Sequence, residues 1–224
     1  MKNRIVRIIQ SSTMAVPLCG VLCLAAPAVA GNAPAPVQSS AFGKTLAGWQ
    51  DTYLRWEVGN ITVPSDANGN AVVGNVVLMP LPNVPGDGTP GSLAVTLNSR
   101  EAFFLPVVQE AGTSYTDGTP NDPLLPLSFF TSFNVRLQID GVTVIDDCNK
   151  MRFFSQFYFA PPIPFPFGNI NSIIWFQGFG FAHAPLRPGI HTIKLDEKAG
   201  QSLPPNFGGG FPEYHNTWTV TVLP

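Results

Sequence analysis

From Asn134 to Ile145 the chain alternates with a period of two: Val135, Leu137 and Ile139 fall on one side and Asn134, Arg136 and Gln138 on the other, before Asp140-Gly141. Successive side chains of an extended strand point to opposite faces, so the alternation predicts a strand with one buried face. Asp-Gly predicts a tight hairpin, because both positions tolerate positive φ. Further strand-like runs lie at 59–64, 71–79, 92–97, 101–109, 151–159, 172–182, 190–195 and 214–223, separated by turn clusters such as SDANGN, NVPGDGTPG, TDGTPNDP and NFGGG. The segment GKTLAGWQDTYLRWE (43–57) has a different spacing: Leu46, Trp49, Tyr53 and Trp56 recur every three or four residues, with Lys44, Asp51 and Arg55 elsewhere on the wheel. That stripe predicts a helix packed on the body of the protein rather than an aromatic binding face. The expected fold is mainly β, an antiparallel β-sandwich, Ig-like or jelly-roll, with one short N-terminal amphipathic helix. No second hydrophobic core, fixed-period repeat or linker divides residues 42–224, which predicts a single domain.

Residues 153–185 carry eleven aromatic side chains, five prolines and no formally charged group. Trp175, Phe179 and Phe181 share one strand parity, whereas Gly178, Gly180 and Ala182 share the other, so a strand here is heavy on one face and bare on the other. A bare face admits close approach by a second sheet, the helix or a ligand. The run PPIPFPFG cannot join a central ladder, because proline lacks the N–H, and is expected as an extended connection along an edge. Those prolines also exclude a membrane helix, and the one-sided alternation elsewhere fits a packed core better than a transmembrane barrel. Packing is the ordinary role of such rings. The functional alternative is a ligand groove built from Trp175, Phe179 and Phe181 with Tyr214 and His215 of the last strand.

At the N-terminus, Lys2, Arg4 and Arg7 precede an apolar run from about Met14 to Ala26 and then Ala28-Val29-Ala30. This order predicts a secretory signal peptide over residues 1–30 cleaved after Ala30, then a flexible leader at 31–41. The apolar run is interrupted by Pro17, Gly20 and Pro27 and falls short of the ~20 residues of a spanning helix, so no integral membrane span is expected after cleavage. The mature chain keeps nine Lys and Arg against fourteen Asp and Glu, a net charge of −5. It offers no cationic field for nucleic acid. Cys19 and Cys23 leave with the signal, so Cys148 is expected to lack a partner within the mature chain, and Asp146 and Asp147 beside it disfavour a thiolate.

The motifs GKTLAGWQDTYLRWE, REAFFLPVV, IDGVTVI, FYFAPPIPFPFGNI, LRPGIHTIKL and NTWTVTV follow one another over nearly all of residues 42–224. In that order they resemble an uncharacterised family of bacterial secreted β-sandwich proteins with a Trp-rich N-terminal helix, Ig-like or jelly-roll strands and a "PGxHTI" hairpin. Thr52 and Leu54 stand where that group tends to place tryptophans. The resemblance implies a β-sandwich fold and export, and it implies no activity.

The chain has no G-x-S-x-G elbow, H-E-x-x-H, C-x-x-C, phosphate-binding glycine loop or dinucleotide fingerprint. No cofactor and no metal site is expected. His191 shares parity with Ile193 and Leu195 and reads as a satisfied core histidine, whereas His183, at the end of the aromatic strand, could face either way. Glu213 and His215 share one side of a strand, an acid/base pair in form, with an exposed strand entrance as the plainer reading. Polysaccharide hydrolysis needs two carboxyl groups about 5–10 Å apart. The adjacent pairs Asp146-Asp147 and Asp196-Glu197 read as solvated charges at strand ends. DANGNA (66–71) and DGTPND (117–122) read as turns ahead of calcium loops. Three roles remain open for this secreted or periplasmic chain. One is non-catalytic binding of a glycan, a small apolar ligand or a surface protein; the others are an extracellular hydrolase or lyase using Glu213, His215 and Asp196, and a structural role in the envelope or matrix.

Overall fold

The computed structural model describes residues 41–224; the expected signal peptide and all of the expected leader but Ala41 lie outside the described residues. Helix α1 (Leu46–Glu57) begins where the Thr45 hydroxyl accepts a hydrogen bond from the Gly48 N–H at 3.1 Å, and ends just before Gly59 at φ +75°. Ten strands follow, with a short helix α2 (Leu127–Ser132) between the fourth and fifth. They are β1 (Val72–Val73), β2 (Val76–Leu78), β3 (Asp87–Asn98), β4 (Ala102–Tyr115), β5 (Asn134–Ile139), β6 (Val142–Ile145), β7 (Phe154–Phe167), β8 (Ile170–His183), β9 (Gly189–Lys198) and β10 (Glu213–Leu223). One sheet has the order β1-β2-β4-β8-β7, and the other β3-β10-β9-β5-β6. The two pack as a β-sandwich.

Most pairings are antiparallel, but β2 runs parallel to β4 and β3 parallel to β10, so both sheets are mixed. Hairpin polarity does not bind a chain that changes sheets. Between Asn98 and Ala102 it leaves one sheet for the other, so β3 and β4, though consecutive, never pair. The expected strand at 59–64 is irregular chain, and α2 went unforeseen because six residues are too few to show a helical period. The Asp140-Gly141 hairpin forms as expected, with φ of +51° and +79°.

The central core lies between the sheets and joins Phe103, Leu105, Phe179, Phe181, Ile193, Leu195, Trp218 and their neighbours. A second cluster lies on the outer face of the first sheet, where Leu46, Trp49 and Tyr53 of α1 cover Val76, Leu78, Phe104 and Ala182. This answers what approaches the bare parity of β8: it is the helix. The Gln50 side chain donates to the Gly178 carbonyl at 3.3 Å, and a Cβ on Gly180 would come within 2.9 Å of the Phe104 ring and 3.3 Å of Gln50 Nε2. At Gly178 a Cβ would lie 2.1 Å from the Val108 carbonyl oxygen of the paired strand, an atom that cannot swing away. Gly178→Ala is therefore expected to lower stability by about 1–3 kcal/mol, as overpacking does, measured as a shift of the urea midpoint. An unchanged midpoint would mean that the strands separate here without cost. The run PPIPFPFG lies in β7, at the edge of its sheet as expected, with Tyr158 63 % exposed and Phe167 also exposed.

Candidate functional site

β2 is short and covers only Ala102–Phe104 of β4, and among the described residues no strand continues that side of β4. The space between the sheets opens there into a cavity of about 530 Å³, rimmed by the 81–86 segment and by the glycine-rich 203–212 loop. In that loop Gly208, Gly209 and Gly210 all have positive φ, a path that side chains with a Cβ rarely follow.

Two acids enter this cavity from opposite sheets. On β9, Ile193, Leu195 and Glu197 alternate inward, while Lys194, Asp196 and Lys198 face solvent. Glu197 sits opposite Tyr214 of β10, and Leu195 opposite Asn216. Both β10 residues also line the cavity. On β4 the register shifts between Pro106 and Val108, so that Val108 lies opposite Phe179, Glu110 opposite Gln177 and Gly112 opposite Trp175. This bulge moves Glu110 onto the inward parity. Glu110 is half-buried, the open part being toward the cavity it lines, and Glu197 is 5 % exposed.

Asp122 ties the wall together. Its carboxylate accepts from the Thr113 N–H and hydroxyl (2.9 and 2.8 Å), the Tyr115 hydroxyl (3.0 Å) and the Asn206 amide (3.0 Å), and its carbonyl accepts from the Trp175 indole at 2.8 Å. Gln177, two residues beyond Trp175 on β8, performs the same service, bonding both the N–H and the carbonyl of Leu125.

Among the described residues the acids have no cation beside them. No Lys, Arg or His among the described residues lines the cavity, which is bordered instead by Glu57, Glu110, Asp122 and Glu197. Burial pushes the Glu110 carboxyl up to about 8, and burial followed by repulsion from Glu110 holds Glu197 well above the usual carboxylate range. Glu110 is then largely protonated at neutral pH. Glu197 Oε2 and Asn216 Oδ1 are buried and have no hydrogen-bond partner among the described residues.

No protein-family model, no curated protein and no solved structure matches this chain. The likeness to secreted sandwich proteins therefore rests on its quoted motifs.

The sequence-derived candidates divide. Trp175, Phe179 and Phe181 are fully buried core, because their shared parity faces the opposite sheet, so they offer no stacking platform. Tyr214 lines the cavity. His215 does converge with Asp196 and Glu213, through contacts of 2.6 Å and 3.2 Å, but on the outer face of the second sheet, where Lys198 also pairs with Glu213 at 2.8 Å. None of these three lines the cavity. The bond to Asp196 raises the His215 pKa, and Lys198 lowers that of Glu213, as in a surface ion-pair network. His191 is only partly buried, tied to Asp140 and to the Arg187 carbonyl beside the hairpin, whereas His183 turns inward against Phe103. Asp66, Asp117 and Asp146 accept from backbone N–H groups within their own turns, which fits their reading as turn residues, whereas Asp147 accepts from the distant Val135 N–H and pairs with Lys150. Cys148 is disulfide-bonded in the full chain.

Glu197 corrects the reading of Asp196-Glu197 as a solvated pair, since one faces out and the other in. The signal was present: Glu197 shares parity with Ile193 and Leu195, the same pattern that was read for His191. Glu110 had no such signal, because strict alternation from Phe103 and Leu105 points to Gln109, and only the bulge brings Glu110 inward.

Proposed function

We propose that this chain is an exported, non-catalytic binding protein for a small organic molecule held between the sheets near Glu110, Glu197, Tyr214 and Asn216. One observation carries the reading: two nine-tenths-buried polar side chains, Glu197 and Asn216, present oxygens without partners at a roomy cavity. Leaving a buried acceptor unsatisfied costs about 1–3 kcal/mol, and native proteins tolerate few such groups without a role. A mostly apolar, partly enclosed cleft with a few convergent polar groups is the usual form of a small-ligand site. Export rests on the basic, apolar and small-residue order of the first thirty residues. Among the described residues no helix is long and apolar enough to cross a membrane.

The hydrolase reading finds less support. Glycoside hydrolysis needs one carboxyl protonated and its partner ionised, whereas burial raises both acids here. The Glu213, His215 and Asp196 group lies on an exposed sheet face, with the His215 and Asp196 side chains 40 % and 53 % exposed to water.

Saturation-transfer NMR with benzyl alcohol, benzoate, glucose and benzyltrimethylammonium tests the binding reading. At least one probe is expected to show transfer with the native protein and none with Val84→Trp, which fills the rim of the cavity. No transfer from any probe, or transfer unchanged in Val84→Trp, refutes the site.

A further inference from the structure

Granting that reading of the cavity, we infer that its ligand is a small organic cation, an amine or quaternary ammonium with an apolar body. Three features of the walls converge on this class. The first is charge: acidic side chains reach the cavity from α1 (Glu57), β4 (Glu110), the segment after β4 (Asp122) and β9 (Glu197), and among the described residues none that lines it is basic. Glu57 already accepts from Gln109 at 3.2 Å and Asp122 from four donors, which leaves Glu110 and Glu197 as the pair able to meet a guest. Among the described residues no lining Lys, Arg or His would neutralise a bound anion.

The second feature is ring content. Tyr115, Phe133, Phe207 and Tyr214 all border the cavity, and aromatic faces attract ammonium groups by about 0.5–2 kcal/mol each when water is excluded. Gly86 brings the rim onto one of these rings: a Cβ there would lie 2.5 Å from the Tyr214 hydroxyl oxygen. The third is the unpartnered Asn216 Oδ1, which leans toward Gly91 of β3 and the Pro82 and Val84 rim, an acceptor suited to an N–H or to the polarised C–H groups of an ammonium. A bare metal ion fits less well. Among the described residues no group of three or more His, Cys, Asp and Glu side chains is placed to hold one.

A cation bound between Glu110 and Glu197 favours their ionised forms, so binding must release protons. The titratable groups facing the pair are Tyr115 on β4, Tyr214 on β10, Asp122 and Glu57, and burial keeps Tyr115 above the usual tyrosine range and so neutral. The released proton therefore comes from the two glutamates. With Glu110 titrating at about 8, binding at pH 7 is expected to release about 0.9 proton.

The test is calorimetric titration with benzyltrimethylammonium, whose charge does not depend on pH, and with neutral benzyl alcohol, in two buffers of different ionisation enthalpy. The expected result is cation binding that strengthens about tenfold per pH unit between pH 5.5 and 7.5, with proton release, while benzyl alcohol binds more weakly and without pH dependence. Glu110→Gln/Glu197→Gln is expected to weaken cation binding at least tenfold and to abolish the proton release, with an unchanged circular dichroism spectrum reporting that the variant is folded. Equal binding of cation and alcohol, or cation binding without proton release, overturns the cation assignment while leaving a binding cavity. Absence of binding by either probe removes both.

Discussion

Trp175→Ala is expected to lower the free energy of unfolding by about 4–5 kcal/mol. Deleting a buried tryptophan typically costs about 3–5 kcal/mol through lost transfer energy and the cavity that remains. Here the indole N–H also donates to the Asp122 carbonyl at 2.8 Å, and the ring packs against Phe207 and directly over Gly112, where a Cβ would fall 2.0 Å from it. The loss of that hydrogen bond leaves a buried carbonyl short of a partner. Urea denaturation followed by circular dichroism measures the effect. The position of Trp175 also makes it a support for the cavity, since Asp122 and Phe207 both border the space while Trp175 stands behind them. A variant that keeps native stability but loses ligand binding would show instead that the ring touches the ligand.

The second large effect is on stability against pH. Glu110 and Glu197 have folded-state pKa values above the unfolded value near 4.5. Between that value and their folded pKa, the folded protein holds protons that the unfolded chain has lost. The stability they contribute is thus fully present below pH 4.5 and is lost as pH rises through about 8 and beyond, at up to about 1.4 kcal/mol per pH unit for each proton. The free energy of unfolding is expected to fall by roughly 3 kcal/mol from pH 5 to pH 9, after allowance for the partial exposure of Glu110. Glu110→Gln/Glu197→Gln should flatten this profile and exceed the native protein in stability at pH 9 by a similar amount, measured by urea denaturation at pH 5, 7 and 9. A native profile that is flat across this range would show that both carboxyls are ordinarily solvated. Acidic pairs of this kind are retained at functional sites despite such a penalty, because a guest of opposite charge relieves it.

Local chemistry carried much of the architecture. Period-two alternation at Val135, Leu137 and Ile139, the Asp140-Gly141 turn, the stripe of Leu46, Trp49 and Tyr53, and the prolines of β7 each impose a local geometry that tertiary packing accepts without change. They were legible because each depends on neighbours within a few residues: backbone freedom at a turn, a missing N–H, or the side-chain period of a strand or helix. The same parity rule placed Trp175, Phe179 and Phe181 on one face, but a rule about one strand cannot say what stands opposite. The second sheet stands there, and the rings are core. Likewise, Glu213, His215 and Asp196 could be grouped from strand parity alone, whereas the side of the sheet they occupy depends on which face the other sheet covers.

The cavity belongs to the tertiary structure alone. It exists because β2 stops after pairing with Phe104, because a bulge at Pro106 to Val108 rotates Glu110 inward, and because two sheets bring residues 110 and 197 to one space. Strand alternation and turn residues are local, so the amino-acid order by itself determined a mainly β, sandwiched body with one covering helix. Strand length against a partner, the bulge and the meeting of distant acids are set by packing between segments far apart in the chain, and only the folded arrangement decided them.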